Sequence, residues 1–235
     1  MVEASAGSAE LVGARPAVAV ELFGARLPLA DEYVRLLAEH GERRGLIGPR
    51  ELPRLWDRHV LNSVAVAELI PAGARVLDVG SGAGLPGVPL SIARPDVRVT
   101  MVEPMERRVA WLSEVIDALD LDAEVIRGRA EEPNIRRSLT GADVGTARAV
   151  APLAKLAHWC LPLLRPDGLL LALKGASAEE ELARDANAVR AAGGASASVV
   201  ACGAGVLATP TTVVVIRKEK SARGRDDRRS TRKDR

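Results

Sequence analysis

Four glycines follow an apolar segment that contains a carboxylate. The segment is Val76-Leu77-Asp78-Val79, and it continues as Gly80-Ser81-Gly82-Ala83-Gly84-Leu85-Pro86-Gly87. Glycine accepts positive φ angles and has no Cβ, so another molecule can lie directly against the main chain. When such a loop joins a strand to a helix, it lies at the carboxyl edge of a parallel sheet, where the helix presents free N–H groups. The pattern predicts a site for a ligand that contains adenosine.

Two classes of cofactor are compatible with this loop. Gly82 to Gly87 has the spacing G-x-G-x-x-G, which occurs in dinucleotide sites and is weak evidence alone. Counted from Asp78, the pattern is D-x-G-x-G-x-G, which is typical of S-adenosylmethionine sites. The carboxylate of Asp78 can orient the loop and accept from an ammonium group, whereas it would repel a pyrophosphate. Glu103, at the end of the next strand, can bind both ribose hydroxyls in either class, so the residues together favour S-adenosylmethionine over a nicotinamide nucleotide.

The elements that position these residues begin near Ala74, where short apolar strands start to alternate with helices. The pattern predicts seven strands, at residues 75–79, 97–102, 124–127, 143–147, 168–173, 196–202 and 211–217. Predicted helices lie at residues 87–93, 107–119, 153–164 and 178–192. The last two strands are separated by about eight residues, too few for a crossover helix, so they should pair antiparallel. We expect an α/β fold with a Rossmann-like seven-stranded sheet whose last strand is antiparallel, the arrangement of class I S-adenosylmethionine-dependent methyltransferases.

Residues 1–72 have a different pattern, with apolar residues at helical spacing, and this predicts an N-terminal helical cap. The predicted cap helices span residues 10–23, 30–43 and 52–69. The methyltransferase domain is then expected over residues 73–218. Residues 219–235 are expected to form a disordered basic tail, since ten Lys or Arg and only four Asp or Glu occur from Arg217 onward. Such a tail fits either a contact with a polyanion or simple solubilising disorder.

Composition narrows the function classes. Aromatic residues make up 2% of the chain, too few for the stacking surface of a single-strand binder. The two cysteines, Cys160 and Cys202, lack metal-ligand spacing and are expected as buried free thiols in a reducing compartment. No apolar signal core follows the first residues. We therefore expect a cytoplasmic monomer that binds no metal and no membrane.

The glycine segment also resembles a longer signature. Asp78 to Leu90 is similar to the signature of the bacterial small-subunit ribosomal RNA guanine-N7 methyltransferases, the glucose-inhibited division protein B family. Further matching segments are Arg58-His59-Val60-Leu61-Asn62-Ser63, Arg148-Ala149 and Ala172-Leu173-Lys174-Gly175. The resemblance extends from Glu21 to Lys218. Asn62 replaces the aspartate of the family pattern, and Gly45-Leu46-Ile47 replaces a more polar element.

The resemblance implies S-adenosylmethionine as the cofactor and also implies which residues bind it. The family positions that match are Gly80, Leu85, Ala130, Glu131 and Arg148. With the loop and ribose residues identified above, the predicted cofactor site contains Asp78, Gly80, Gly82, Gly84, Leu85, Glu103, Ala130, Glu131 and Arg148.

The resemblance also implies a substrate, N7 of a guanine in the 16S ribosomal RNA of the small ribosomal subunit. Because N7 has a free lone pair, methyl transfer to it needs no general base, and the rate should come from alignment of the reacting atoms. Arg148 and Lys174 are the predicted catalytic residues, which would orient the guanine or a nearby phosphate. Arg58, His59 and Lys174 are predicted to face the RNA, while a structural link between the cap and the sheet is the favoured role of His59, and Arg58 is also compatible with a solvated charge.

Three other functions remain compatible with the residues. The cap could cover a small-molecule or protein substrate of a class I methyltransferase. The G-x-G-x-x-G spacing is compatible with a nicotinamide oxidoreductase, although no residues for hydride transfer are evident. A non-catalytic ribosome-assembly factor could keep the fold and bind RNA, although it would have little use for a complete donor site.

Overall fold

Seven strands form one sheet in the computed structural model, which describes residues 12–220. The strands are β1 (Arg75–Val79), β2 (Arg98–Glu103), β3 (Ala123–Arg127), β4 (Ala142–Arg148), β5 (Leu164–Leu173), β6 (Gly194–Cys202) and β7 (Thr211–Lys218). Their order in the sheet is β3-β2-β1-β4-β5-β7-β6. Strand β7 pairs antiparallel with β5 and β6, whereas the ladders from β3 to β5 are parallel. The predicted seven-stranded sheet with a reversed last strand is confirmed.

Helices precede the sheet and connect its strands. The α-helices of the described residues are α1 (Val18–Phe23), α2 (Leu27–His40), α3 (Asn62–Ala65), α4 (Gly87–Ala93), α5 (Glu106–Leu119), α6 (Pro133–Leu139), α7 (Leu153–Cys160) and α8 (Ala178–Ala191). Helix α6 was not predicted from the sequence. This helix has seven residues and buries only Ile135, which is too little periodicity to reveal a helix.

The cap differs from the prediction in two places. Residues 12–17 are not helical, and α1 begins only at Val18, because Pro16 lacks an N–H and disfavours helical backbone before it. The predicted helix at residues 52–69 is a continuous winding of changing pitch. It consists of a 3-10 turn (Pro49–Arg54), a π-helical segment (Leu55–Leu61), α3 and a second 3-10 turn (Val66–Leu69).

The cap and the sheet share one hydrophobic core. Successive side chains of a strand point to opposite faces, so Val76 and Val213 belong to one cluster of buried residues, while Leu77 and Val214 belong to another. The cluster that contains Val76 also contains buried cap residues such as Tyr33. The cap helices therefore cover one face of the sheet directly.

The strand order reverses between β1 and β4, which are neighbours in the sheet. In open α/β sheets, a crevice forms at this switch point, outside the carboxyl ends of the strands. The glycine loop after β1 and the segment after β4 therefore lie side by side. Cys160 and Cys202 are both buried and free, as expected.

No helix within residues 12–220 has both the length and the apolar character needed to cross a bilayer. Of the predicted basic tail, residues 221–235 lie outside the described part of the chain.

Candidate cofactor and substrate site

The loop after β1 depends on glycine where neighbouring side chains approach it. Gly80 and Gly84 have φ angles of 74° and 105°, in the region that side chains disfavour. A Cβ on Gly80 would lie 2.6 Å from a methyl group of Val150, and a Cβ on Gly84 would lie 2.6 Å from one of Val88. The main chain at Gly80 and Gly82 is half-buried and borders the crevice, whereas Gly84 is buried against Val88.

Asp78 lies beneath this loop and is fully buried. Its Oδ2 accepts a hydrogen bond from the N–H of Gly87 at 3.1 Å, and its Oδ1 accepts one from Oγ1 of Thr146 at 2.9 Å. Burial raises the pKa of Asp78 to about 6, against the opposing effect of these hydrogen bonds. The carboxyl group thus joins β1, the start of α4 and β4 under the loop, which is the orienting role that the sequence suggested.

The carbonyl of Ala83 fixes the loop from the cap side. Its oxygen accepts hydrogen bonds from the hydroxyl of Tyr33 at 3.0 Å and from Nε1 of Trp111 at 2.9 Å. Both aromatic side chains are buried, and burial raises the pKa of Tyr33, so its hydroxyl remains a donor. One carbonyl oxygen therefore ties α2 and α5 to the middle of the glycine loop.

Glu103 ends β2 beside the loop and is 1% exposed. Its Oε2 accepts the N–H of Gly82 at 2.9 Å, and its Oε1 accepts the N–H of Met105 at 3.0 Å. Nη1 of Arg108 lies 4.0 Å from Oε2. An ionised carboxylate has about four acceptor positions, so lone pairs of Glu103 remain for ligand hydroxyls.

A cavity of about 500 Å³ opens above these groups. Its lining residues come from the cap (Leu46, Ile47, Gly48, Glu51, His59), the loop (Gly80, Ser81, Gly82, Ala83, Leu85), the end of β2 and the start of α5 (Glu103, Pro104, Met105, Arg108), the segment after β3 (Arg129) and the segment after β4 (Arg148, Ala149, Val150). The fold thus brings Gly80, Gly82, Leu85, Glu103 and Arg148 of the predicted site together, and His59 with them.

Arg148 links the sheet to the cap through four hydrogen bonds. Its Nη1 donates to the carbonyl of His59 at 3.1 Å and to Oγ of Ser63 at 3.2 Å. Its Nη2 donates to the carbonyl of Arg58 at 3.1 Å and to Nδ1 of His59 at 2.7 Å. All four hydrogens of the two terminal nitrogens therefore have acceptors inside the protein.

His59 in turn bridges Arg148 and Glu51. Nε2 of the imidazole lies 2.6 Å from Oε2 of Glu51. Because Nδ1 accepts from Arg148, the ring proton lies on Nε2 and is donated to the carboxylate. Burial, and then the charge of Arg148, lower the pKa of His59, so its neutral form is favoured. The hydrogen bond from His59 lowers the pKa of Glu51.

Other predicted site residues lie outside this cavity. Asp78 is buried beneath the loop, and Gly84 is buried within it against Val88. Ala130 is 3% exposed and faces the core, and neither Ala130 nor Glu131 lines the cavity. Nζ of Lys174 donates to the carbonyl of Ala151 and to Oε1 of Glu181, both at 3.0 Å. The side chain of Arg58 lines a neighbouring cavity.

Several residues that line the cavity were not predicted from the sequence. Met105 and Arg108 follow Glu103 within one helical turn, so their positions could have been found from the predicted strand end. Arg129 immediately precedes Ala130 and reaches the cavity in its place. Nothing in the sequence pattern indicated Glu51, because its role depends on the contact with His59 in the folded cap.

The features of the cavity fit S-adenosylmethionine. A volume of about 500 Å³ is within the usual range for small-molecule sites, the loop offers bare main chain, and Glu103 keeps lone pairs for ribose hydroxyls. Met105 and Val150, 38% and 37% exposed, add apolar surface at the cavity. A solved S-adenosylmethionine-dependent methyltransferase from Aquifex aeolicus shares the fold, with a TM-score of 0.52 at 20% identity, over 73% of this chain and 99% of that one. Fold and site together define a class I S-adenosylmethionine-dependent methyltransferase.

The chain belongs to the GidB family, described as rRNA small subunit methyltransferase G, whose family model matches residues 26–209. A relative from Corynebacterium jeikeium is 53% identical over 205 residues, which are 87% of this chain and 92% of the relative. One from Salinispora tropica is 59% identical over 205 residues, 85% of this chain and 84% of the relative. Both relatives are named ribosomal RNA small subunit methyltransferase G. The expected family, enzyme class and cofactor are confirmed.

Proposed function

We propose that this protein transfers the methyl group of S-adenosylmethionine to N7 of a guanine in the 16S RNA of the small ribosomal subunit. The choice of RNA is supported by membership of the family and by the names of the relatives. A substrate of this kind places the reaction in the cytoplasm. The choice of N7 is supported by the acids and bases that line the cavity.

Each carboxylate and imidazole among the described lining residues is already bonded within the protein. Glu103 accepts two backbone N–H groups and would use its remaining lone pairs on the ribose hydroxyls of the donor. Glu51 accepts from Nε2 of His59, and Nδ1 of His59 accepts from Arg148. A general base must lie within hydrogen-bond reach of the proton that it removes and must be able to accept it. Guanine N7 carries no proton and presents a lone pair in the ring plane, so it is the acceptor that suits this site.

The residues of this chain would hold the donor and align it with the acceptor atom. S-Adenosylmethionine supplies an electrophilic methyl group on a sulfonium. The main chain at Gly80 and Gly82 would contact the donor, Glu103 would accept its ribose hydroxyls, and Met105 would cover an apolar face. In such a site the rate comes from orientation, which can contribute about 7–11 kcal/mol.

Arg148 and Lys174 act as positioning residues in this proposal. Arg148 ties the end of β4 to the cap, and Lys174 ties the carbonyl of Ala151 to Glu181 on α8. Together these bonds hold both ends of the segment after β4, which forms a wall of the cavity. Direct contact with RNA then falls to cationic side chains near the cavity, Arg129 and Arg58, which are both exposed.

The test is methyl transfer from donor with a labelled methyl group to purified small ribosomal subunits and to deproteinised 16S RNA, followed by mapping of the modified base. The proposal expects label at one guanine, with the alkali-sensitive glycosidic bond of a cationic N7-methyl base. Label on ribosomal protein, or on an exocyclic nitrogen, would overturn it. Titration with S-adenosylmethionine and with NAD in a calorimeter separates donor binding from substrate choice.

A further inference from the structure

A second cavity, of about 600 Å³, borders the cap segment that carries Arg58. We call it the cap groove and define it by Arg54, Arg58, Leu61, Asn62, Leu207 and Thr209. The cofactor site does not use this cavity. Its size matches a nucleotide or a similar small group rather than a single ion.

Two walls of the cap groove are fixed to each other, and Pro16 and Val18 complete its lining. One wall is the cap segment from Arg54 to Asn62, and the other is the loop between β6 and β7. Oγ1 of Thr211 donates to the carbonyl of Asn62 at 3.1 Å, and the N–H of Gly203 donates to Oε2 of Glu68 at 3.2 Å. The loop is therefore anchored to the cap at both of its ends, and the cap groove is a formed site.

The chemistry of the cap groove suits a phosphate with a base attached. Arg54 is exposed at the cap groove, and guanidinium groups pair with phosphate in a forked arrangement. Leu61 and Leu207 are buried and supply an apolar floor, while Asn62 and Thr209 supply polar atoms. The cap groove also contains the carboxylate of Asp57, and Arg58 is paired with Glu51, so Arg54 supplies the cation of the groove that has no ion pair among the described residues.

The cap groove and the cofactor cavity adjoin at Arg58. Nη1 of Arg58 lies 3.9 Å from Oε1 of Glu51, which lines the cofactor cavity. The next residue, His59, also lines that cavity. A strand whose target base enters the cofactor cavity would therefore pass Arg58 and reach the cap groove within a short distance.

We propose that the cap groove binds nucleotides that flank the target base in a single-stranded segment of the substrate RNA, with phosphates on Arg54 and Arg58. The inference rests on the proposed function, in which the substrate is RNA. None of the described aromatic side chains lines the cap groove, so binding there depends on charge and apolar contact rather than on base stacking. Such contacts position the strand and weaken as salt rises.

The test measures the affinity of the full chain for fluorescently labelled 16S RNA, both deproteinised and within intact small subunits, over a series of salt concentrations, by anisotropy and without methyl transfer. Arg54→Gln and Val206→Asp alter the cap groove, since Val206 also lines it. Arg98→Gln is the matched control. Arg98 is exposed at the start of β2, at the amino-terminal edge of the parallel strands, whereas the cap groove lies at their carboxyl edge. Each variant is also titrated with S-adenosylmethionine.

Arg54→Gln should raise the Kd for RNA about tenfold at low salt and reduce the slope of log Kd against log salt by about 0.7 to 1. Val206→Asp should raise the Kd further by repelling phosphate. Both variants should keep the wild-type affinity for S-adenosylmethionine, and Arg98→Gln should behave as wild type throughout.

Unchanged RNA affinity and slope in both groove variants, in a protein whose wild type binds RNA, would overturn the inference and leave the proposed function standing. A loss of affinity for intact small subunits without any loss for deproteinised RNA would also overturn it, since the cap groove would then bind a protein. If the wild type binds neither form, the proposed function itself fails.

Discussion

Nη2 of Arg148 donates a hydrogen bond to Nδ1 of His59 across 2.7 Å, and this bond joins the carboxyl end of β4 to the π-helical segment of the cap. An arginine always donates, so the bond exists only while Nδ1 carries no proton. The neutral imidazole is thus a structural requirement of the wall between the cap and the sheet.

Acidification should lower the free energy of unfolding by disfavouring the hydrogen bond between Arg148 and His59. The pKa of His59 is lower in the folded protein than its usual value of about 6.5, because burial and Arg148 disfavour the imidazolium. The unfolded state therefore binds the proton first, so stability from neutral His59 is present above about pH 6.5 and is lost as the pH falls through the lowered folded pKa. Thermal unfolding of wild type and His59→Gln, compared between about pH 7.5 and 5, should show a steeper decline in the wild type.

Asp78 changes the stability in the opposite direction with pH, and it does so equally in wild type and in His59→Gln. Its pKa is raised to about 6, so its folded form takes up a proton before the unfolded form, and its contribution increases as the pH falls. Subtracting the stability of His59→Gln from that of wild type at each pH therefore removes the contribution of Asp78. Parallel pH profiles for the two proteins would show that the ring is not held neutral by Arg148.

Tyr33→Phe should loosen the glycine loop while leaving the core intact. The change removes one of the two donors to the carbonyl of Ala83 and keeps the one from Trp111, so no buried acceptor is left unpaired. We expect the Kd for S-adenosylmethionine to rise about fivefold, equivalent to about 1 kcal/mol. Ser138→Ala removes a hydroxyl bond on α6, away from the loop, and should leave the Kd unchanged. Equal calorimetric titrations for wild type and Tyr33→Phe would contradict a positioning role.

Glu103→Gln should weaken donor binding more strongly. The amide keeps the shape of the side chain but places an N–H group against the N–H of Gly82 or Met105. Loss of a charged hydrogen bond costs about 2 kcal/mol, or about thirtyfold in Kd. Glu106→Gln is the control, because Glu106 is 77% exposed and pairs with Arg127 at the surface. Similar affinities for the two variants would exclude Glu103 from the donor site.

Two substitutions of Asp78 separate its possible contacts. Asp78→Asn can still accept from Gly87 and meet Oγ1 of Thr146, so the loop should remain folded and the Kd for the donor should change by less than about threefold. Asp78→Ala leaves these groups without their buried partner and should lower the free energy of unfolding by about 2 kcal/mol or more. A large loss of donor affinity in Asp78→Asn, with normal thermal stability, would instead indicate direct contact with the ammonium group.

The part of the site that sequence could predict is the part built from neighbours along the chain. The glycines of residues 80–87 marked the loop after β1, and the structure shows why two of them are needed. Val150 and Val88 pack where a Cβ of Gly80 or Gly84 would lie. Glu103 closes β2 at the expected edge, since parallel strands end at the same side of the sheet. The short connection before Thr211 was enough to predict the reversed last strand.

The part that sequence could not predict depends on contacts between distant segments. Arg148 and His59 are 89 residues apart, and nothing local shows that the guanidinium is saturated by the cap. The same holds for Lys174, whose ammonium is held by Glu181 instead of facing a substrate. The partners of Arg148 and Lys174 depend on the direction of each side chain. The position of a residue at a strand end does not reveal which partner a long cationic side chain reaches.

The pair of bonds at Ala83 has an optical consequence. Trp111 is in contact with the loop through Nε1, whereas Trp159 packs with the second hydrophobic cluster on the other face of the sheet. Indole emission depends on the partner of its N–H, so an adjustment of the loop on donor binding should change the emission of Trp111 above the background from Trp56 and Trp159. The protein therefore carries a native fluorescent reporter at the glycine loop of its proposed donor site.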